Sequence, residues 1–322
     1  MRLKRFAALA AMSALAACGV RGSETNPDGT LTFSVAITEP DITTVPILAA
    51  LDVVRQAGHK VEVVELAEPE LAIGGLAEGR YAISAEATSP ALSAIEQDAP
   101  IRIIADAIGN QWAIYGRSRV ACDDLNGRPF GIFSQGAVAT AMTEEWVRTQ
   151  CTGGRKPEYL TIGGSDVRAQ ALVAGQIDAT ALELADVVAL ERSAGSAFAQ
   201  VVDFGKSLPD LRPQTVYANA GFLAEHRDVA QLFVSALVRE HAKINADPRH
   251  LVRLVAAYLP EEESDDVAAV AVRSVEAGLF DAAGLTERNV QATIDFFARA
   301  GVIAPGMTAK DATDLSFIRA AA

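Results

Sequence analysis

Positive charge, cysteine, histidine and aromatic residues are all scarce in this chain. Lys and Arg total 28 against 41 Asp and Glu, which leaves a formal net charge of −13. A chain so short of cations lacks the basic surface that displaces counterions from a polyanion, so no nucleic-acid partner is expected. Four His and three Cys leave little for metal ligation, and no H-E-x-x-H, phosphate-binding loop or dinucleotide fingerprint occurs. No metal or cofactor is therefore expected. The longest apolar run, residues 6–20, is interrupted by Ser13 and falls short of the ~20 residues that span a bilayer as a helix. What is present is globular: 322 residues, 50% hydrophobic and 21% charged, enough for about two domains with their own cores.

The short apolar run follows Arg2, Lys4 and Arg5 and ends in small residues, the layout of a secretory signal over residues 1–17. Leu15-Ala16-Ala17-Cys18-Gly19 resembles the lipobox of bacterial lipoproteins, which implies diacylglycerol on Cys18 and a protein held at the membrane by its lipid alone. Residues 18–30 are polar and rich in turn formers, and are expected to form a flexible tether. Without residues 1–17, which carry three positive charges and no acid, the remaining chain has a net charge of −16. Cys122 and Cys151 are then an even pair, compatible with one bridge in an exported protein or with two buried free thiols.

From residue 31 onward strand and helix patterns alternate: strands at 31–37, 61–66, 82–85 and 101–107, helices at 44–56, 70–78 and 90–97. A second unit repeats the alternation from about residue 117 to 203, and residues 215–218 read as a returning strand. After residue 222 the pattern is helical. Alternation of this kind predicts parallel βαβ units and an α/β fold.

The order of several segments resembles solute-binding proteins of ABC transporters, in the family that binds nitrate, sulfonates, taurine and thiamine precursors. The segments are 76–83 (LAEGRYAI), 99–105 (APIRIIA), 123–132 (DDLNGRPFGI), 172–179 (LVAGQIDA), 301–303 and 314–317. Two stretches depart from the family pattern: Ser134-Gln135-Gly136, where a Gly-Ser pair is usual, and residues 53–59, where an aromatic-containing helix end is usual. The resemblance implies a two-lobed, type II periplasmic-binding-protein fold, with a helical C-terminal segment and a cleft that closes by hinge motion. It places lobe 1 at 31–112 plus 218–322 and lobe 2 at 113–217, with crossings at 111–117 and 213–219. It also implies a monomer on the periplasmic face of a bacterial membrane, with permease subunits as partners.

Ligands of open α/β sheets sit beyond the carboxyl ends of strands, near helix N-termini. The candidate binding residues are therefore Thr38, Glu39 and Asp41 after the first strand, Glu86 and Thr88 after the third, and Ser134, Gln135, Gly136 and Ala137 before a helix. Glu183 at a strand end and Asn110 and Trp112 at the first crossing complete the set. Several acids and no Arg in these loops disfavour a small anion and favour a solute with amine or ring N–H donors, such as an aminopyrimidine, with Trp112 as a stacking surface. A sulfonate, nitrate or aromatic carboxylate is the alternative solute. A hydrolase using Ser134 is the contrasting class, but Ile132 stands where a nucleophile elbow needs Gly, and no His follows a strand. A lipoprotein that senses rather than transports is the third.

Overall fold

The computed structural model describes residues 22–322 except Glu39, Ala67, Ser118, Arg119, 153–155, Glu263 and Ala322. The expected signal sequence, the Cys18 lipidation site and Glu39 lie outside the described residues.

The first sheet is built by β1 (Ser23–Thr25), β2 (Leu31–Ile37), β3 (Lys60–Glu65), β4 (Ile83–Ala87), β5 (Ile101–Ile108) and a late strand, β11 (Gln214–Asn219). Helices α1 (Val45–Gln56), α2 (Pro69–Ala77) and α3 (Thr88–Glu96) connect its strands. Its order is β3-β2-β4-β11-β5, with β1 on the first half of β2. β2 pairs in parallel with β3 and β4, whereas β11 runs antiparallel between β4 and β5. The second sheet has the order β10-β6-β9-β7-β8. Its strands are β6 (Ala113–Arg117), β7 (Pro129–Ile132), β8 (Glu158–Thr161), β9 (Ala179–Leu182) and β10 (Phe198–Asp203), with α4 (Val138–Gln150), α5 (Ser165–Val173), α6 (Leu184–Ala194) and the short α7 (Phe204–Ser207). The C-terminal third is helical: α8 (Ala220–Glu225), α9 (Arg227–Ala246), α10 (Arg249–Tyr258), α11 (Asp265–Glu276), α12 (Glu287–Arg299), α13 (Ala309–Ala312) and α14 (Ser316–Ala321). An apolar stripe on α9, from Val229 through Phe233 to Leu237, packs it on α1 and joins these helices to the first lobe.

Three expectations need correction. Residues 22–30 are not simply a tether, because Asn26-Pro27-Asp28-Gly29 forms a turn, with Gly29 at φ 81°, that folds β1 back onto β2. The chain crosses between sheets at 109–112 and 208–213, earlier and more briefly than expected. Residues 113–117 and 214–219 are sheet strands, and Val216, Tyr217 and Ala218 are fully buried in the middle of the first sheet. The boundary at 217/218 thus falls inside β11. Finally, α3 begins at Thr88 rather than Pro90, since proline is tolerated anywhere in a first turn whose N–H groups have no intrahelical acceptor.

Candidate functional site: a cleft with two raised carboxyls

A cavity of about 830 Å³ lies between the lobes and is lined from both. The carboxyl ends of the parallel strands and the starts of α3, α4 and α5 face it, as the topology requires. None of these three helices has a side-chain N-cap hydrogen bond. Their first N–H groups give the cavity a positive partial charge. The lobes touch across it, Ser89 Oγ donating to the Gly136 carbonyl at 3.4 Å and Gln111 Nε2 to Glu183 Oε2 at 3.4 Å. Gly136 adopts φ 79° in the turn before α4, and a Cβ there would meet only open space, so its conformation rather than crowding calls for glycine.

Of the expected residues, Thr38, Glu86, Trp112, Ser134, Gln135, Gly136, Ala137 and Glu183 line this cavity. Glu86 lies within β4, one residue before its end, rather than in the loop beyond it, and is 7% exposed. Its Oε1 accepts the Thr38 N–H and, at 2.7 Å, the Thr38 hydroxyl. Burial nevertheless pushes its pKa up to about 7, and nearby Asp41 adds to the shift. Glu183 is the N-cap residue of α6, and its N–H donates to Ser165 Oγ at 3.0 Å. Desolvation raises its carboxyl to about 8, helped by Asp41, Asp186 and Glu86 and opposed by Arg168.

Three other candidates do not line the cavity. Asp41 Oδ1 accepts the N–H groups of Thr43 and Thr44 at 2.8 and 3.2 Å, an Asx turn that starts α1. Thr88 is buried, its hydroxyl sharing a 3.1 Å hydrogen bond with that of Thr215 under the sheet. Asn110 is buried at the first crossing, where Nδ2 donates to the Phe204 carbonyl at 3.3 Å and Oδ1 accepts the Trp112 N–H at 3.3 Å. Asp41 and Asn110 accept nearby backbone N–H groups and Thr88 bonds Thr215, so each side chain is already partnered away from the cavity.

Two residues were missed. Phe133 follows β7 and stands 38% exposed at the cleft wall. Arg168, on α5, is 1% exposed and lines the cavity. Its guanidinium donates to the carbonyls of Gly163 and Ala181 and to Thr180 Oγ1, and lies 5.8 Å from the Trp112 ring centroid. These contacts occupy three of its five N–H donors and leave two. The loops hold no Arg, as read from the sequence, but the α5 helix brings one to the cleft. Arg168 stands on the same helical stripe as buried Ala171 and Leu172, and a charge on an apolar stripe is the signal that would have found it.

No His lines the cleft among the described residues. His241 sits against Phe280 and its Nδ1 accepts the Ala282 N–H at 2.9 Å, while burial pushes its pKa down to about 3. Ser134 thus has no His base among the described residues that line the cleft. The two cysteines form a disulfide, Cys122–Cys151. Among the described residues no group of His, Cys, Asp and Glu is arranged to hold a metal ion, and no helix is long and apolar enough to cross a membrane.

Solved structures share this architecture. A ligand-binding component of an ABC-type import system from Staphylococcus aureus, with zinc bound, aligns with a TM-score of 0.72 at 16% identity, over 90% of this chain and 99% of its own. The alkanesulfonate-binding protein SsuA of Xanthomonas axonopodis pv. citri, bound to MOPS, aligns at 0.67 and 15% identity over 87% and 97%. The nitrate-binding NrtA of Synechocystis aligns at 0.68 and 11% over 90% and 88%. The expected two-lobed periplasmic-binding-protein fold is thereby borne out. No curated protein matches the sequence. The family described as NMT1/THI5 like matches residues 54–250, more than half of the sequence. The chain belongs to the NMT1/THI5-like family.

Proposed function

We propose that the protein is the extracytoplasmic solute-binding component of an ABC importer and that it takes a small N–H-bearing heteroaromatic solute, such as an aminopyrimidine, into the cleft. The observation that carries this is the pair Glu86 and Glu183. The two carboxyls come from opposite lobes, face one cavity, and are held near neutrality by burial. A protonated carboxyl both donates and accepts, which matches a ring nitrogen beside an exocyclic amine. Trp112 supplies a flat surface in the same cavity. A solute bonded to both lobes favours the closed state by its differential contacts, and a permease can recognise that state. The similar solved structures, a ligand-binding component of an import system among them, support the transport role. Export by residues 1–17 and lipidation of Cys18 would keep the protein at the membrane face. Cys18→Ser should then free it from sedimented membranes.

One set of contacts favours a second solute class. Three uncapped helix N-termini and Arg168 suit a sulfonate or other anion. Titration calorimetry with 4-aminopyrimidine, taurine, methanesulfonate and nitrate separates the two. The first reading expects 4-aminopyrimidine to bind, and Glu86→Gln to weaken it by roughly 0.5–1.5 kcal/mol, the worth of a hydrogen bond between uncharged groups. Binding of the sulfonates alone, unchanged in Glu86→Gln, would reject the heteroaromatic solute and leave the anion.

A further inference from the structure

The cavity is far larger than the head group just proposed. At the ~30 Å³ share of one water, its volume of about 830 Å³ holds nearly thirty water-sized groups, whereas an aminopyrimidine has seven heavy atoms. The volume persists although the lobes already touch through Ser89 and Gly136. Most of the residues that line it come from the first lobe. Residues 69, 70, 73, 74 and 77 of α2 line it, as do residues 89, 90, 93 and 94 of α3 and its C-cap residue 97. Both sets follow the same one-face spacing over the length of a helix, so the two helices wall a groove about 12 Å long at 1.5 Å per residue. Its walls are mainly carbon, from Pro69, Ile73, Ala77, Pro90 and Ala94, with Ala99 and Val302 beside them. The Gly74-Gly75 pair shows how the space is kept. A Cβ on Gly75 would fall 2.2 Å from the Tyr81 ring, so that glycine serves packing; a Cβ on Gly74 would meet nothing within 4 Å.

We infer that the groove between α2 and α3 is a second subsite that takes an apolar arm, alkyl or alkyl-aryl, carried by a solute whose polar head occupies the Glu86–Arg168–Glu183 end. The inference deepens the binding role proposed above and rests on it. The groove is continuous with that polar end in one cavity, which fixes the occupant as part of the same molecule. Burying each methylene should tighten binding about fourfold. Glycine at position 74 also costs helix stability relative to leucine, so filling the groove from there leaves α2 intact.

Calorimetry with three homologous series, 5-alkyl-4-aminopyrimidines, alkylamines and alkanesulfonates, each from methyl to octyl, tests the groove independently of the head. In whichever series binds, affinity should climb about fourfold per carbon until the groove is filled. Gly74→Leu should flatten that climb while leaving the methyl member within about twofold of the wild type. Ala94→Leu, from the facing helix, should do the same. If the aminopyrimidines fail but another series shows the climb and Gly74→Leu abolishes it, the head assignment falls and the groove stands. If a series binds without any dependence on chain length, or the climb survives both substitutions, the groove is overturned and the binding role stands. Failure of all three series overturns both.

Discussion

Glu86→Gln should change the free protein and its complex in opposite directions, and the first effect can be worked out from the structure. The carboxyl has its pKa raised from 4.5 to about 7, chiefly by desolvation. The folded state therefore resists ionisation that the unfolded chain accepts. Glu86 costs nothing below pH 4.5, where both states are protonated, and its penalty grows as pH rises through 7. At ~1.4 kcal/mol per unit the penalty is close to zero at pH 4, about 1 kcal/mol at pH 5 and about 3 kcal/mol above pH 7. Glutamine keeps an oxygen for the Thr38 N–H and hydroxyl and never ionises, so the variant should be about 3 kcal/mol more stable than the wild type at pH 8 and equal to it at pH 4. That gain corresponds to roughly 5 °C in melting temperature for a chain of this size. Urea unfolding at pH 4, 5, 6, 7 and 8, followed by the fluorescence of Trp112 and Trp146, measures the difference directly. A variant that is less stable at pH 8, or a difference that does not vary with pH, would refute burial as the origin of the raised carboxyl. A gain in stability with a loss in solute affinity is what a carboxyl kept for binding rather than for folding should show.

Binding of 4-aminopyrimidine should weaken above pH 8, by up to about tenfold per pH unit for each proton taken up, because the carboxyls at about 7 and 8 ionise in the free protein. Calorimetry in buffers of different ionisation enthalpy counts those protons, and an affinity that rises with pH would contradict the neutral-carboxyl pairing. Arg168→Met should cost about 3 kcal/mol, since the acceptors Gly163 O, Ala181 O and Thr180 Oγ1 lose a buried donor, and Arg168→Lys should recover little because an ammonium cannot span them. Thermal melts of the two variants check this; a melting temperature equal to the wild type in either would discount the network. Replacing Cys122 and Cys151 together by Ser should cost about 3–4 kcal/mol, the entropy of a loop closed over a sequence separation of 29. Denaturant unfolding with and without reductant should show that loss in the wild type and none in the double variant.

The elements were legible wherever local rules govern them. Gly79 and Gly175 both adopt positive φ, near 70° and 74°, at the ends of α2 and α5, where the sequence places a glycine stop before a strand. The apolar runs of β2, β5 and β11 are likewise buried as their composition demands. What escaped the sequence was set by partners far along the chain. Whether 213–219 is a crossing or a central strand depends on β4 and β5, which flank it from more than a hundred residues away. Residues 22–30 have the composition of a tether, yet Asn26-Pro27-Asp28-Gly29 needs only the first half of β2 as a pairing partner to become a hairpin.

The site divides in the same way, and Arg168 shows why it matters. Counting charges in the loops gave acids without a cation and so a case against anions. The cation enters from inside α5, because the helix start brings residue 168 level with the carboxyl ends of β7 and β9. Its charge does not simply reverse the conclusion. Most of the guanidinium is spent on carbonyls and Thr180, it lies beside the Trp112 ring, and it holds down the very carboxyl, Glu183, that Asp41 and Asp186 push up. The cleft therefore offers a solute donors from Arg168 and three helix starts together with two carboxyls poised to give or take a proton. A bare anion uses only the first half of that set, and a bare cation only the second. A flat heterocycle with a ring nitrogen and an adjacent N–H uses both, which is why the pairing of Glu86 with Glu183 weighs more than the sign of either charge alone.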